Sequence, residues 1–373
     1  MQKLHVLLAA TIFATLCNSC LEDPDTPEPP FIQEGDGGSI AGFYVLNEGN
    51  WGQNKASLDF YDYSDNMYTT DVYSKANPDV ILGLGDVGND LAVYNGKLFA
   101  LINGSNKVEV MDAKTAKRIT QIDIDNCRNI TFDGDYAYVS SFVGGDGDCG
   151  SVSRIDLKTL TVTGKVSVGK QPEELVVADG MLYVANSGQF QAPEYDKNIS
   201  IVRLSDFTLH GNIEVDINMH RLRVDKDGNL WVTSRGNYAD IPSNIYKLQK
   251  TGNGSFSTPQ PLNVPCNAIE IAGDKIYFYG TSYDENWNAT YNFGIIDTAS
   301  GSIMPKSFIT DGSESSLSTP YCIAVQPSTG DIFVTDARNY VSSGQIRCYS
   351  PEGKLKWTAT TGDIPGHIAF IEN

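Results

Sequence analysis

The side chains that could run chemistry in this chain are few, and their spacing argues against most catalytic schemes. Beyond the first twenty residues, imidazoles occur only at His210, His220 and His367. These are the groups best suited to general acid–base work or zinc binding near neutral pH. Sequence spacing places no carboxylate beside them, so they predict neither a metal site nor an acid–base pair. Cys127, Cys149, Cys266, Cys322 and Cys348 include no CxxC pair, which argues against structural zinc. There is no GxSxG elbow and no convincing Ser/His/Asp set. Gly83-Leu84-Gly85-Asp86-Val87-Gly88 spells GxGxxG, but no helix follows it, as a dinucleotide site requires. Asp225-Lys226-Asp227-Gly228-Asn229 imitates part of a calcium loop without the bidentate glutamate. These patterns predict no enzyme, no cofactor and no metal.

What remains is recognition. Trp51, Phe142, Phe190, Tyr195, Tyr238, Tyr283, Trp287, Tyr291 and Tyr340 stand in polar segments rich in Asn, Gln and Asp. Rings outside a core are unfavourable in water unless a partner covers them. Rings beside amide groups suit a broad amphipathic ligand.

The elements that must position these rings are strands. A unit of two apolar runs around a tight polar turn recurs, with a further hairpin behind it. Its first strand starts near Leu91, Ile130, Leu175, Leu222, Ile269 and Ile323, at spacings of roughly forty to fifty-four residues. Asn95-Gly96, Asp133-Gly134 and Asp179-Gly180 are hairpin signals, because such residues accept positive φ. The period is that of a four-stranded propeller blade. Residues 43–71 hold a second, third and fourth strand without a first, and 365–371 read as a first strand with nothing after it. Together they complete a seventh blade. The predicted fold is therefore all-β: a seven-bladed β-propeller of four-stranded antiparallel blades, spanning 42–373 and closed by strands from both termini.

In such a ring, the loops entering each first strand and joining the second strand to the third open on one face. Here they are the long ones: Asn47–Lys55, Asn103–Lys107, Phe142–Gly150, Asn186–Asn198, Arg235–Ser243, Tyr283–Tyr291 and Arg338–Ser343. This face carries the aromatic residues together with Asp86, Asn103, Arg128, His220, Arg235 and His367. Cys127 and Cys149 fall on it too and form the candidate disulfide.

The N-terminus sets the expected compartment. Lys3 and the apolar run Leu4–Leu16 fit a signal peptide over 1–19, the run being too short to cross a bilayer as a helix. Cys17-Asn18-Ser19-Cys20 resembles a lipobox, which implies lipidation at Cys20. Prolines and acidic residues over 20–41 then read as an extended tether. With 27 basic against 46 acidic residues the net charge is −19, so nucleic acid is not an expected partner and the membrane is met only through the anchor.

Tyr183-Val184-Ala185-Asn186, Val232-Thr233-Ser234-Arg235 and Val334-Thr335-Asp336 resemble the YVTN-type propeller repeat. The opening Tyr44-Val45-Leu46-Asn47-Glu48-Gly49-Asn50-Trp51-Gly52, with Gly83-Leu84-Gly85-Asp86-Val87 downstream, resembles the surface propeller lipoproteins of Bacteroides that accompany TonB-dependent transporters. The best-known branch, the BtuG-type proteins, captures cobalamin. The resemblance implies an outer-membrane, surface-exposed lipoprotein that binds cobalamin and hands it to a TonB-dependent transporter. A glycan or other transporter-coupled ligand is the alternative, and a purely structural surface-layer protein is a third. A propeller lyase or hydrolase is the rival class. It would require His, Arg and carboxylates clustered at the central channel, supplied by Asp86, Arg128, Glu174, Arg221 and His367.

Overall fold

The computed structural model describes residues 42–252, 254–286 and 288–371. Cys20, the signal peptide, the tether and Trp287 lie outside the described residues. Seven antiparallel sheets stand in a ring, as the repeat predicts. Blade 1 is Pro365–Ile371, Gly42–Asn47, Ser57–Asp62 and Met67–Thr69, from the channel outward. Blade 2 runs from Gly88–Tyr94 through Lys97–Ile102 and Lys107–Asp112 to Arg118–Asp123. The inner strands of blades 3 to 7 are Cys127–Asp133, Pro172–Ala178, Met219–Val224, Ala268–Ala272 and Pro320–Val325. Each inner strand touches the next around the channel, and the last touches that of blade 1.

The burial pattern explains why the repeat reads as it does. Second strands lie in mid-sheet between neighbouring blades, so Leu98-Phe99-Ala100-Leu101-Ile102 is an unbroken buried run. The rim strand Arg118–Asp123 instead buries only Ile122 fully. Asn95-Gly96 and Asp179-Gly180 each take positive φ at both positions, the primed turn that a two-residue hairpin needs. The outer turns share another device: the carboxylates of Asp112, Asp156 and Asp297 accept the amides of Thr115, Thr159 and Ser300 three residues on.

Closure is antiparallel and in register from Gly42↔Ile371 to Leu46↔His367. Its seam with blade 7 is aromatic. Phe43 meets Phe333 edge-on at 4.8 Å, and Tyr61 stacks on Trp357 at 4.6 Å. Pairs of this kind add about 0.5–1.5 kcal/mol beyond the area they bury.

Three local expectations are modified. Blade 6 has three full strands, its fourth reduced to the bridge Ile296↔Ile303. The loop expected over Tyr283–Tyr291 is shorter than that: Lys275–Tyr283 pairs with Ala289–Asp297 as a hairpin, and the connection between the strands lies inside 284–288. The candidate disulfide is not formed. Cys127 and Cys149 are both free thiols, and Cys127 is fully buried, with Sγ donating to the Lys107 carbonyl at 3.3 Å.

The calcium-like loop is a turn, as its place in the repeat predicts. The Asp225 carboxylate accepts the amides of Asp227 and Asn229, the Asn229 side chain and the indole N–H of fully buried Trp231. Asp225→Ala would leave that indole without its acceptor, and a loss of about 2 kcal/mol is expected. Urea unfolding of the variant checks it. Added calcium should not raise the stability of the native protein, whereas a rise that Asp225→Ala abolishes would mark the loop as a metal site.

Candidate functional site

The channel mouth is built by one repeated irregularity. At their upper ends the inner strands of blades 2, 3, 4, 5 and 7 slip register, between Gly88 and Asp90, Cys127 and Ile130, Pro172 and Leu175, Met219 and Leu222, and Pro320 and Ile323. Blade 1 slips beside Pro365. A bulge inserts an unpaired residue and re-aims its side chain, and bulges are over-represented next to functional sites. The amides dropped from the ladder are not orphaned. Those of Asn129, Arg221 and Cys322 donate to the hydroxyls of Ser140, Thr233 and Thr335 in the adjoining strand. In these blades the hydroxyl residue of the YVTN-like repeat is thus the partner of the bulge.

The bulges bring ionisable groups together. Arg128 of blade 3 and Arg235 of blade 5 both reach Glu173 of blade 4, at 3.0 and 2.9 Å. Arg128 also lies 4.4 Å above the Phe142 ring. One residue on, Glu174 takes Arg221 at 3.0 Å, Arg223 and the Leu222 amide, and Arg223 continues to Glu270 at 3.2 Å. Across the channel, His367 Nδ1 stands 3.2 Å from Asp90 Oδ1, and Tyr321 donates to Glu48 at 2.9 Å. Below them, Asp90, Glu174, Arg221, Arg223, Glu270, Cys322 and His367 line a channel cavity of about 330 Å³.

The electrostatics follow from this arrangement. Burial pushes the Glu173 carboxyl up, but Arg128 and Arg235 outweigh it and hold it below its usual value. Asp90 is also depressed: the bond to His367 and the amides of Ile130 and Leu91 overcome its burial. Glu48 goes the other way, raised by burial despite His367 and Tyr321. Burial first, then the charges of Arg235, Arg221, Arg128 and His367, push His220 well below the usual imidazole value.

Around the mouth, loops on the same face expose a ring of apolar side chains. Trp51 is 70% exposed, Phe190 74%, Tyr238 62%, Tyr283 61% and Tyr340 45%. The Trp51 loop is pinned by Asp86, whose carboxylate accepts the amides of Gly52 and Asn54 at 2.8 and 3.1 Å. Asn50 donates to the Tyr340 carbonyl, which joins the loops of blades 1 and 7.

The sequence-predicted residues thus divide into three groups. Arg128, His220, Arg235 and His367 meet at the channel mouth. Trp51, Phe190, Tyr238, Tyr283 and Tyr340 form the rim, with Tyr195 half-buried in the blade 4 loop. Asp86, Asn103 and Phe142 are positioning residues. Asn103 is buried and donates to Asn126 and the Cys127 carbonyl, and Phe142 is buried beneath Arg128 with its edge toward Phe190. Sequence reasoning missed Glu48, Asp90, Glu173 and Tyr321, and the exposed Ile81 and Leu82 beside the Trp51 loop. The signal for Glu173 was present, since it precedes Glu174 at a strand start.

Solved structures with this architecture are numerous and distant. A quinonprotein alcohol dehydrogenase-like protein of Bacteroides thetaiotaomicron is 21% identical, with a TM-score of 0.58, over 89% of this chain and 78% of that one. A "hypothetical selenium-binding protein" of Sulfolobus tokodaii gives 12% and 0.64, over 90% and 94%. Hydrazine synthase of Kuenenia stuttgartiensis gives 16% and 0.62, over 76% and 89%. At these identities the likeness is one of fold. No curated protein sequence matches the chain. A family model does, across residues 41–359, which take in every strand except the closing one and the end of Leu355–Asp363, and the chain belongs to that family, described as Domain of unknown function (DUF5074).

Proposed function

We propose that this chain is a ligand-capture propeller whose loop face binds a corrinoid, cobalamin, for hand-over to a TonB-dependent outer-membrane transporter. In this reading Cys20 anchors it to the cell surface. The observation that carries the proposal is the ring of exposed aromatic side chains around one mouth of the channel. A corrin is wide and apolar at its edges and fringed with amides, so rings beside Asn and Gln groups complement it. The test is calorimetric titration of the purified protein with cyanocobalamin. One-to-one binding is expected, weakened about tenfold or more by Trp51→Ala or Tyr283→Ala, the loss typical of a buried aromatic anchor. Absence of heat, and of any shift in melting temperature, would sink the corrinoid reading and put glycans next.

A second reading, catalysis at the same mouth, is favoured by one observation: the Asp90–His367 pair beside Arg221 and Glu174. A carboxylate on Nδ1 orients an imidazole so that Nε2 can take a proton. Under this reading a glycan panel yields product with the native protein and none with His367→Gln, which still binds. Binding without product in both would leave capture.

A further inference from the structure

A sheet edge is a row of unpaired N–H and C=O groups that another extended chain can complete, and proteins blunt such edges with charge, proline or brevity. Six rims of this ring do so. The outermost strands of blades 2, 3, 4 and 7 carry, in turn, Arg118 and Asp123, Lys165, Glu214, and Lys356 and Asp363. Blade 5 ends on the pair Gln260–Pro261, and blade 1 on the short strand Met67–Thr69. Blade 6 ends instead on its third strand, Ala289–Asp297, in which no residue before Asp297 is charged.

The local sequence explains why this edge is bare. Ile303 bridges Ile296, and the amides of Met304 and Asp297 donate to the carbonyls of Ile295 and Ser302 at 2.8 and 3.0 Å. At Pro305 and Lys306 the chain bends out of the ladder. Phe308 then settles against the rings of Tyr277 and Phe293, at 5.8 and 5.6 Å, in the core shared with blade 7. The bonds at Ile295 and Asp297 show which main-chain groups face outward, because these alternate along an antiparallel strand. The next in line belong to Phe293, Tyr291 and Ala289. Among the described residues, nothing bonds to their outward N–H and C=O groups. Ala289, Thr290 and Asn292 are exposed along the same stretch.

We propose that the edge Ala289–Gly294 binds an extended segment of a partner polypeptide as a fourth, antiparallel strand of blade 6, and that this segment is basic at its C-terminal end. Main-chain hydrogen bonds to Tyr291 and Phe293 supply the attachment. Charge follows from direction. A chain antiparallel to Ala289–Gly294 ends beside the hairpin tip, where Asp284 and Glu285 are exposed. The net charge of −19 acts in the same sense and opposes a second copy of this chain as the occupant. Tyr283 pairs with Ala289, so the docked strand lies beside the aromatic rim. The site stands whether or not that rim takes a corrinoid.

The test uses a soluble peptide of alternating threonine and valine ending in two lysines, a copy ending in two glutamates, and a copy of the first with proline at its centre. The lysine peptide is expected to slow amide hydrogen exchange over 289–294 about tenfold or more. It should bind about tenfold more tightly than the glutamate peptide at low salt, and the proline copy should protect least. Asn292→Lys gives this edge the kind of charge the other rims carry and should weaken the lysine peptide about tenfold. Glu285→Lys should erase the preference for lysine over glutamate, and serves if the first variant folds poorly. No protection by the lysine peptide, equal protection in Asn292→Lys, or equal affinity for the two charged peptides would overturn the proposal. So would protection of 289–294 without peptide in a protein that sediments as a dimer, which would give the edge to a second copy.

Discussion

Glu173→Ala is expected to destabilise the protein by roughly 3–5 kcal/mol, more than any single change at the exposed rim. The residue is fully buried, and its two oxygens tie Arg128 to Arg235 across three blades. Removing one partner of a buried ion pair leaves the other charge uncompensated, and that residue of charge dominates the loss. Here two guanidinium groups would be stranded by one substitution. Urea unfolding gives the magnitude, and the acid limb gives the cause. The folded-state pKa of Glu173 lies below the value of 4.5 for a free glutamate. As pH falls below 4.5 the unfolded chain takes up this proton first, so the stabilisation is present above that pH and is lost on acidification. In the variant that part of the acid limb should vanish. His220 adds a separate loss below about pH 6.5, because the unfolded imidazole protonates while the folded one does not. Glu48 and Glu270 are raised and act in the opposite sense, weakening the fold as pH rises past 4.5. A drop of under about 1 kcal/mol, with an unchanged acid limb, would show that Glu173 is not the keystone described.

The second large effect is expected at Gly280. A Cβ built there would lie 1.8 Å from the Pro265 carbonyl oxygen and 3.0 Å from the Cys266 amide nitrogen, both main-chain atoms. No rotamer relieves a clash with backbone, so either the segment entering blade 6 or the projecting hairpin must move. Gly280→Ala is expected to destabilise by about 3 kcal/mol, at the upper end for overpacking. It should also displace Tyr283, three residues along the same strand, and weaken any ligand held by the rim. Thermal unfolding and amide exchange over 275–297 check it. Unchanged protection in the hairpin would refute the argument.

These two sites show where sequence reasoning reached and where it stopped. The blades were legible because mid-sheet strands such as Leu98–Ile102 must be apolar on both sides, and because pairs such as Asp179-Gly180 can turn a hairpin. The shared first blade was legible because a propeller cannot leave half a blade unpaired. In blade 6 the first hairpin was legible but the length of the loop after it was not: the Asp284 carboxylate folds Asn286 and Asn288 into a tight tip, so the strands extend to Tyr283 and from Ala289. Arg128 and His367 could be placed at strand starts, but their partners could not. A bulge turns adjacent residues in directions that a two-residue period does not give, so Glu173 and Glu174 serve different arginines. Asp90 likewise stood one residue from a marker residue without revealing that it pairs with His367 of the adjoining blade. The Cys127–Cys149 pairing failed for a similar reason, since sharing a face says nothing about which way a thiol points.

The closing strand has a consequence for how the ring assembles. Gly42 pairs with Ile371 across almost the whole described chain, whereas every other blade closes within a few dozen residues. Contacts of such separation carry the largest loop-closure entropy and slow folding most. Six blades can therefore condense locally into an open arc before the last strand docks as a latch. Refolding should show a late phase independent of protein concentration, reported by the stacking of Tyr61 and Trp357 at the seam.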